Sequence, residues 1–437
     1  MCCSEIRLDP NVPRAPRLRY GLKTLRRVGN RLAAMEPSPL SMSERPLTPA
    51  SSGIRGAWIS ISYLAVWAYL LYGIGSATPY LRADLHLSDF EAGLHASALA
   101  VGVLAAGFSA DAIARVIRPG GLFDLSVASI VAGVVLLVLA PFLAVSLAGA
   151  CLLGLGGGTL GTQVNVHLVR SGGDDSRRLM GQANAIAMIT AAAAPLAIGL
   201  AASGYNAWRA ALILPIMAFL ALTALRPRES SPSRPVRVPR ARLPTAYWFV
   251  WLLLVLGVSI EFSFVFWSST IVGKRTGVSD ADATLLASLF MAGMFVGRAA
   301  IGRGFGGRRS PRLILSAGLG MAMLGASIVC ISTMPAVSAL GLFLGGLGTA
   351  ALWPVGLTVA FASSPGAQLE ASARATLASG VAVLVAPSAL GLASDAVGVV
   401  SAWLIIIALG AGALAVLAMT PRPPAGSPAP ENAPQLS

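Results

Sequence analysis

Charge is scarce in this chain. Of its 437 residues only 11% are Asp, Glu, Lys or Arg, while 55% are hydrophobic. A soluble protein of this size carries about 25% charged residues, so most of this chain must face something other than water. Lysine is nearly missing, with Lys23 and Lys274 alone among 32 basic residues, a balance that reads as codon composition of a GC-rich genome. Histidine is limited to His86, His95 and His167, too few to suggest a metal enzyme. Of the four cysteines, Cys2 and Cys3 sit in a polar tail and Cys151 and Cys330 inside apolar runs, which implies neither a disulfide framework nor a metal site. There is no Walker sequence, no CxxC pair and no HExxH, so no soluble-enzyme activity, metal or cofactor is expected. The stretch GLGGGTLG at 154–161 superficially resembles a nucleotide-binding loop, but it lies within an apolar run and suits helix packing. The formal charge of +14 would suggest a nucleic-acid partner in a soluble protein. Here the charges sit in loops and tails, so none is expected.

What the chain has instead is long apolar runs. A helix needs about 20 apolar residues to cross a hydrocarbon core ~30 Å thick. Twelve runs qualify, at 57–81, 91–112, 120–140, 143–169, 179–202, 207–225, 246–272, 282–304, 311–333, 336–362, 374–396 and 399–419. The expected fold is an all-α membrane protein of twelve transmembrane helices in two six-helix bundles, 54–225 and 246–419. Residues 226–245, rich in Arg and Pro, form the linker between them. Residues 1–53 read as a basic disordered tail and 420–437 as a second one. Met35 or Met42 is an alternative start, in which case residues 1–34 are never made.

The two bundles share a sequence pattern. Leu87-Ser88-Asp89-Phe90-Glu91-Ala92 lines up with Val278-Ser279-Asp280-Ala281-Asp282-Ala283, 191 residues on, and Gly102 falls on Gly293. At the same offset Gly154 and Gly157 fall on Gly345 and Gly348. With one residue inserted, Ala194-Pro195 and Gly199 fall on Ala386-Pro387 and Gly391. Internal symmetry of this kind is a mark of transporter folds. Pairs such as Gly154 and Gly158, or Gly293 and Gly297, let helix backbones approach closely in lipid. Static packing explains them at least as well as sliding surfaces do.

Lys and Arg set the orientation. With the N-terminus inside, the inner loops hold Arg115, Arg118, Arg170, Arg177, Arg178, the linker arginines, Arg303, Arg308, Arg309, Arg312 and Arg374. The outer side holds Arg82, Arg209, Lys274 and Arg275. Both termini are therefore expected in the cytoplasm, with the lipid bilayer of the plasma membrane as the chain's surroundings.

Few ionisable groups lie deep in the runs, and Glu261, in GVSIEFSFVFWSS, is the outstanding one. A charge at the bilayer centre costs ~2.5–3.5 kcal/mol on insertion scales, so this carboxyl must face a partner or a wet cavity. The functional reading is a proton-titrating or substrate-binding acid, and the bland alternative is a structural Glu bonded to a neighbouring helix. Gly257, Glu261, Phe264 and Ser268 share one face at helical spacing. Gln163, Asn165 and Asn184 can hydrogen-bond a polar solute or simply another helix. Tyr69 and Tyr72 lie close to Leu70, the repeat counterpart of Glu261; Trp267 and Trp353 are further candidates to line a cavity. Arg298, near the inner end of the eighth run, can pair with a carboxylate as a gate or snorkel to the interface.

These features together resemble the Major Facilitator Superfamily over about 57–419. The loop after the second run resembles that family's G-x-x-x-D-R-x-G-R-R signature at Gly107, Asp111 and Arg115, and departs from it at Ala112, Ala114 and Val116. Pro387, Gly391 and Asp395 resemble its P-x-x-x-G-x-x-x-D pattern. The resemblance implies that Asp111 and Arg115, with Gly107, belong to a cytoplasmic gate, and Arg298 is a further candidate for it from its place in the eighth run. Ala150 stands where proton-coupled members often carry Arg, and Ala194-Pro195 is a reduced antiporter signature, which weakens a drug/proton antiporter reading. The expectation is a monomeric secondary transporter of a small organic solute, working by alternating access and coupled to protons through Glu261. An uncoupled facilitator of the same fold, or a non-transporting membrane sensor, are the alternatives; neither substrate nor direction is legible.

Overall fold

The computed structural model describes residues 50–114, 121–172, 176–205, 207–226, 242–303 and 309–420. The expected N-terminal tail, most of the linker, Arg115 and the C-terminal tail lie outside the described residues, as does the side chain of Asp111. Every described element is a helix. The first six spans are α1 (Ala50–Leu85), α2 (Asp89–Ala114), α3 (Gly121–Leu139), α4 (Leu143–Gly172), α5 (Ser176–Tyr205) and α6 (Trp208–Leu225). Then come α7 (Thr245–Thr276), α8 (Asp280–Gly302), α9 (Pro311–Ile331), α10 (Pro335–Thr349), α11 (Leu352–Ala362), α12 (Gln368–Val397), α13 (Val399–Ala402) and α14 (Leu404–Met419). They make 12 candidate membrane spans.

Local chemistry explains the ends. Ser279 caps α8 by accepting the Asp282 N–H, and Ser310 caps α9 ahead of Pro311 at the first helical position. Gly277 ends α7 at φ 71°, a left-handed conformation that glycine adopts without strain. The tenth span, one run in the sequence, is two helices. Pro354 has no N–H to give and its ring crowds the Ala350 carbonyl, so the helix breaks at Ala350 and Ala351. Pro79, Pro195, Pro215 and Pro387 stay inside their helices.

The repeat is visible as packing. A Cβ on Gly102 would run into the Cys151 carbonyl, where α2 crosses α4, and a Cβ on Gly293 would run into the Phe343 carbonyl, where α8 crosses α10. Gly133 lies on the Gly149 carbonyl, and Gly325 on the Gly341 carbonyl. Gly154 packs on Leu99, and its counterpart on Phe290 is Gly346, not Gly345. The one-residue insertion therefore lies before α3 and α9, earlier than the spacing suggested, because backbone contact fixes register more tightly than a run of small residues does.

Spans alternate in direction, so the start of α1, the linker and the end of α14 share one side, here the linker side; the other is the far side. On the far side the first six spans meet the last six closely. Gly93 packs on the Pro387 carbonyl, Gly391 on the Asp89 carbonyl, Gly199 on Leu285, and Gly75 on the Val265 carbonyl. Apart from the Arg298–Met188 contact, the described hydrogen bonds between the two groups of spans lie at mid-depth or beyond it towards the far side. On the linker side Gly107 and Gly181 have no atom near enough to meet an added Cβ, and Asn165 and Asn184 are exposed.

Candidate functional site

Glu261 sits 16 residues into the 32-residue α7, half-way along a membrane span, and is 5% exposed. Its two carboxylate oxygens are held from different helices. The Tyr72 hydroxyl on α1 donates to Oε1 at 2.8 Å, and Arg298 Nη2 on α8 stands 3.7 Å from Oε2. Glu261 and Arg298 belong to the last six spans and Tyr72 to the first six, so the site straddles the seam. The Tyr72 ring stacks on Phe262 at 6.0 Å between centroids, which fixes the hydroxyl's approach.

Arg298 does not snorkel to the linker-side interface. Its side chain turns inward, as helical side chains lean towards their own N-terminus. One guanidinium nitrogen, Nη1, rests 2.7 Å from the Met188 sulfur on α5, and the buried Nε has no hydrogen-bond partner. Arg298 also acts on the Tyr72 hydroxyl. At 3.7 Å and an effective dielectric constant near 20, the Glu261–Arg298 attraction is worth about 4 kcal/mol before desolvation. Desolvation offsets much of that, so the pair gives little net stability. Removing one partner alone strands a buried charge.

Towards the far side the site ends in a cavity of about 10 Å³, lined by Tyr72, Ser76, Ser268, Phe264, Pro195 and Met291 among others. That is room for roughly one water. Above it Tyr80 seals the seam, donating to the Asp280 carbonyl and bonding Thr284, each at 3.0 Å. A second closure joins α12 to the start of α2. The Asp395 carboxylate accepts the Asp89 and Phe90 backbone N–H groups, both at 2.8 Å. The Asp89 side chain in turn accepts from Ser394 and pairs with Arg82.

Of the other residues singled out in the sequence, most lie away from this centre. Tyr69 donates to the Ala211 carbonyl on α6, and Gln163 donates to Ser126 on α3 and to the Thr159 carbonyl. Asn184 donates to Met180 on its own helix, and Asn165 is exposed. Trp267 is buried and ties α7 to the Pro387 carbonyl of α12. Trp353 packs beside Tyr247 and Leu254. Gly107 is exposed on the linker side, and the structure does not describe the side chains of Asp111 and Arg115 that would complete its gate. Ser268 and Phe264 line the cavity, Phe264 also stacking on Phe290, whereas Gly257 faces Leu352.

The residues that sequence reasoning missed are Met188, Ser76, Tyr80 and the Asp89–Asp395 closure. The repeat pointed to Tyr69 and Tyr72 alike; Met188 and Ser76 carried no signal. Buried His95 holds α2 to α4, between the Ala92 carbonyl and Ser146. Among the described residues no three His, Cys, Asp or Glu side chains gather as a metal site.

Comparison with known proteins gives the family. A family model described as Major Facilitator Superfamily matches residues 59–326 and 250–436. No curated protein sequence matches. Among solved structures, a bacterial homologue of the human lysosomal transporter Spinster, inward-facing and unoccupied, superposes with a TM-score of 0.68 at 14% identity. That match covers 85% of this chain and 97% of the other. The nucleoside transporter NupG superposes at 0.67 with 13% identity, covering 84% of this chain and 99% of its own. A POT family transporter bound to 5-aminolevulinic acid superposes at 0.69 with 12% identity, over 84% and 95% of the two chains. These likenesses show the fold.

Proposed function

The chain belongs to the Major Facilitator Superfamily, and on that premise we propose that it is a secondary transporter of a small organic solute, driven by protons that load at Glu261. It sits in the plasma membrane with the linker and both termini in the cytoplasm, and it works as a monomer. The observation that carries this reading is the buried carboxylate of Glu261 at mid-span, bonded across the seam by Tyr72 and faced by Arg298. An intramembrane acid is expensive unless it works or is paired, and one of this acid's two partners, Tyr72, parts from it when the two sets of spans separate. With the far side closed, the linker side is the route to the pair on this reading, and Arg298 keeps part of its side chain exposed. A proton on Glu261 would release Tyr72 and Arg298 and change what holds the seam together. The alternation of open sides then follows from differential stabilisation of two arrangements. No chemical bond in the solute is broken, and the chain does not act as an enzyme.

The test uses purified full-length protein in liposomes, given a small-molecule cell extract under an imposed pH gradient, with contents read by mass spectrometry. One or a few solutes should accumulate over protein-free liposomes, and Glu261→Gln should abolish the gradient-driven part. No solute entering above protein-free liposomes would sink the transport reading. Entry that equilibrates but never accumulates identifies an uncoupled facilitator.

A further inference from the structure

We infer that Arg298 is the substrate's anchor and that the substrate carries a carboxylate group. The inference rests on the transport reading above and names the chemistry of its site. The argument is a count of donors and acceptors at the centre of the seam. Both oxygens of Glu261 are engaged, Oε1 by the Tyr72 hydroxyl at 2.8 Å and Oε2 by the charge of Arg298 at 3.7 Å. Arg298 is the opposite case. Its Nε is buried with no hydrogen-bond partner, its Nη1 rests on the Met188 sulfur, and its Nη2 lies beyond hydrogen-bond distance from Glu261, which leaves the Tyr72 hydroxyl, already given to Glu261, as the polar oxygen beside it. Thioether sulfur is a weak acceptor. The site is therefore short of acceptors and not of donors.

A ligand that completes it brings oxygens. The fork geometry of guanidinium matches a planar carboxylate, which takes two parallel N–H groups at once. An amine is poorly served here, since it would compete with Arg298 for oxygens already taken. Arg298 keeps 25% of its side chain exposed, so a solute from the linker side can reach it. The immediate neighbours are apolar, with Met188 against Arg298 and Phe262 stacked on Tyr72. That favours a carboxylate on an apolar body over a sugar acid.

Charge balance ties this to proton loading. Among the described residues the charged group that faces Glu261 is Arg298 from α8, and the neutral hydroxyl of Tyr72 faces it from α1. At rest the pair is neutral. When a carboxylate takes Arg298, Glu261 loses its counter-charge and binds one proton from water on the same side. The occupied site, one anion on Arg298 beside a neutral Glu261, has the same net charge as the empty one. One carboxylate therefore moves with one proton, and the cycle carries no net charge.

The test is thermal unfolding of the purified full chain with hexanoate, benzoate, their amides, phenyl phosphate and hexylamine, each at about 10 mM, since a ligand of the folded state raises its melting temperature. The carboxylates should raise it and the amides and hexylamine should not. Arg298→Lys should weaken the carboxylate effect about tenfold or more, because a point charge replaces a fork. Arg298→Gln alone leaves Glu261 unpaired and can fail to fold, so the companion variant is Arg298→Gln with Glu261→Gln, which removes both charges together. That double variant should fold and lose the carboxylate shift. Amides acting as well as carboxylates, a shift from hexylamine, a larger shift from phenyl phosphate, no shift from either carboxylate, or a carboxylate shift that survives in the double variant would each overturn the inference. If the liposome experiment finds a neutral or cationic solute, the anchor falls while the transporter stands; if it finds no solute, both fall.

Discussion

Replacing Asp395 with Asn should open the far side. In the described conformation its carboxylate accepts two backbone N–H groups at the start of α2, each at 2.8 Å, and so serves as a helix cap supplied by the other half of the molecule. Hydrogen bonds to a charged group are worth about 1.5–3 kcal/mol each, and a negative charge at a helix N-terminus adds about 0.3–1 kcal/mol. Asp395 is exposed, so the low end applies to each bond, and an amide that keeps one neutral bond of about 1 kcal/mol and loses the charge forfeits about 2 kcal/mol. These contacts exist only while α2 and α12 touch. The loss therefore falls on the balance between far-side-closed and far-side-open forms, shifting it about thirtyfold. A far-side-open population of about 1% in the parent would rise to about a quarter. Spin labels at Gly204 and Val397, at the far ends of α5 and α12, report that distance in liposomes. A long-distance component should appear or grow in Asp395→Asn. An unchanged distance distribution in a folded variant would show that the cap does not hold the far side shut.

Three further substitutions probe packing and capping by thermal unfolding. Gly102→Ala should cost about 2–3 kcal/mol, because its Cβ meets the α4 backbone at Cys151 and the helices must part. Gly107→Ala, five residues on with no close neighbour, should be neutral or stabilise by up to about 1 kcal/mol; equal costs at the two sites would refute the close-approach account. Ser279→Ala should lower stability by about 1 kcal/mol through the lost α8 cap, with Ser279→Asp restoring it. Tyr72→Phe removes the hydroxyl bond to Glu261 and should lower the rate of proton-coupled uptake while leaving equilibrium exchange intact. Uptake and exchange falling together would assign Tyr72 to structure instead.

Much of this architecture is legible in the sequence, for identifiable reasons. Lipid demands long apolar runs with internally satisfied backbones, so the spans announce themselves, and Glu261 stands out against them. The repeat was legible from Asp89 and Asp280 onward because caps and close-packed glycines recur at fixed spacing. What a sequence of this kind hides is helix rotation. A helix that is apolar all round has no face to read, so nothing distinguished Tyr69, which turns to α6, from Tyr72, which reaches Glu261. Gln163 and Asn184 were indistinguishable from site residues for the same reason. The position of Arg298 along α8 suggested the interface, and only the direction of its side chain places it at Glu261. The Asp395 closure joins residues some 305 apart, and no local pattern announces such a pair.

The central claim is that protons load at Glu261, and the most direct measurement of it follows solute and proton together. With the transported solute identified, its uptake into liposomes would be recorded alongside lumenal pH from an enclosed dye, for the parent chain and for Glu261→Gln. The parent should show proton movement that starts with the solute and stops without it. The variant should move solute to equilibrium with no accompanying pH change. Solute-dependent proton movement that persists undiminished in Glu261→Gln would contradict the account and place the coupling elsewhere in the chain.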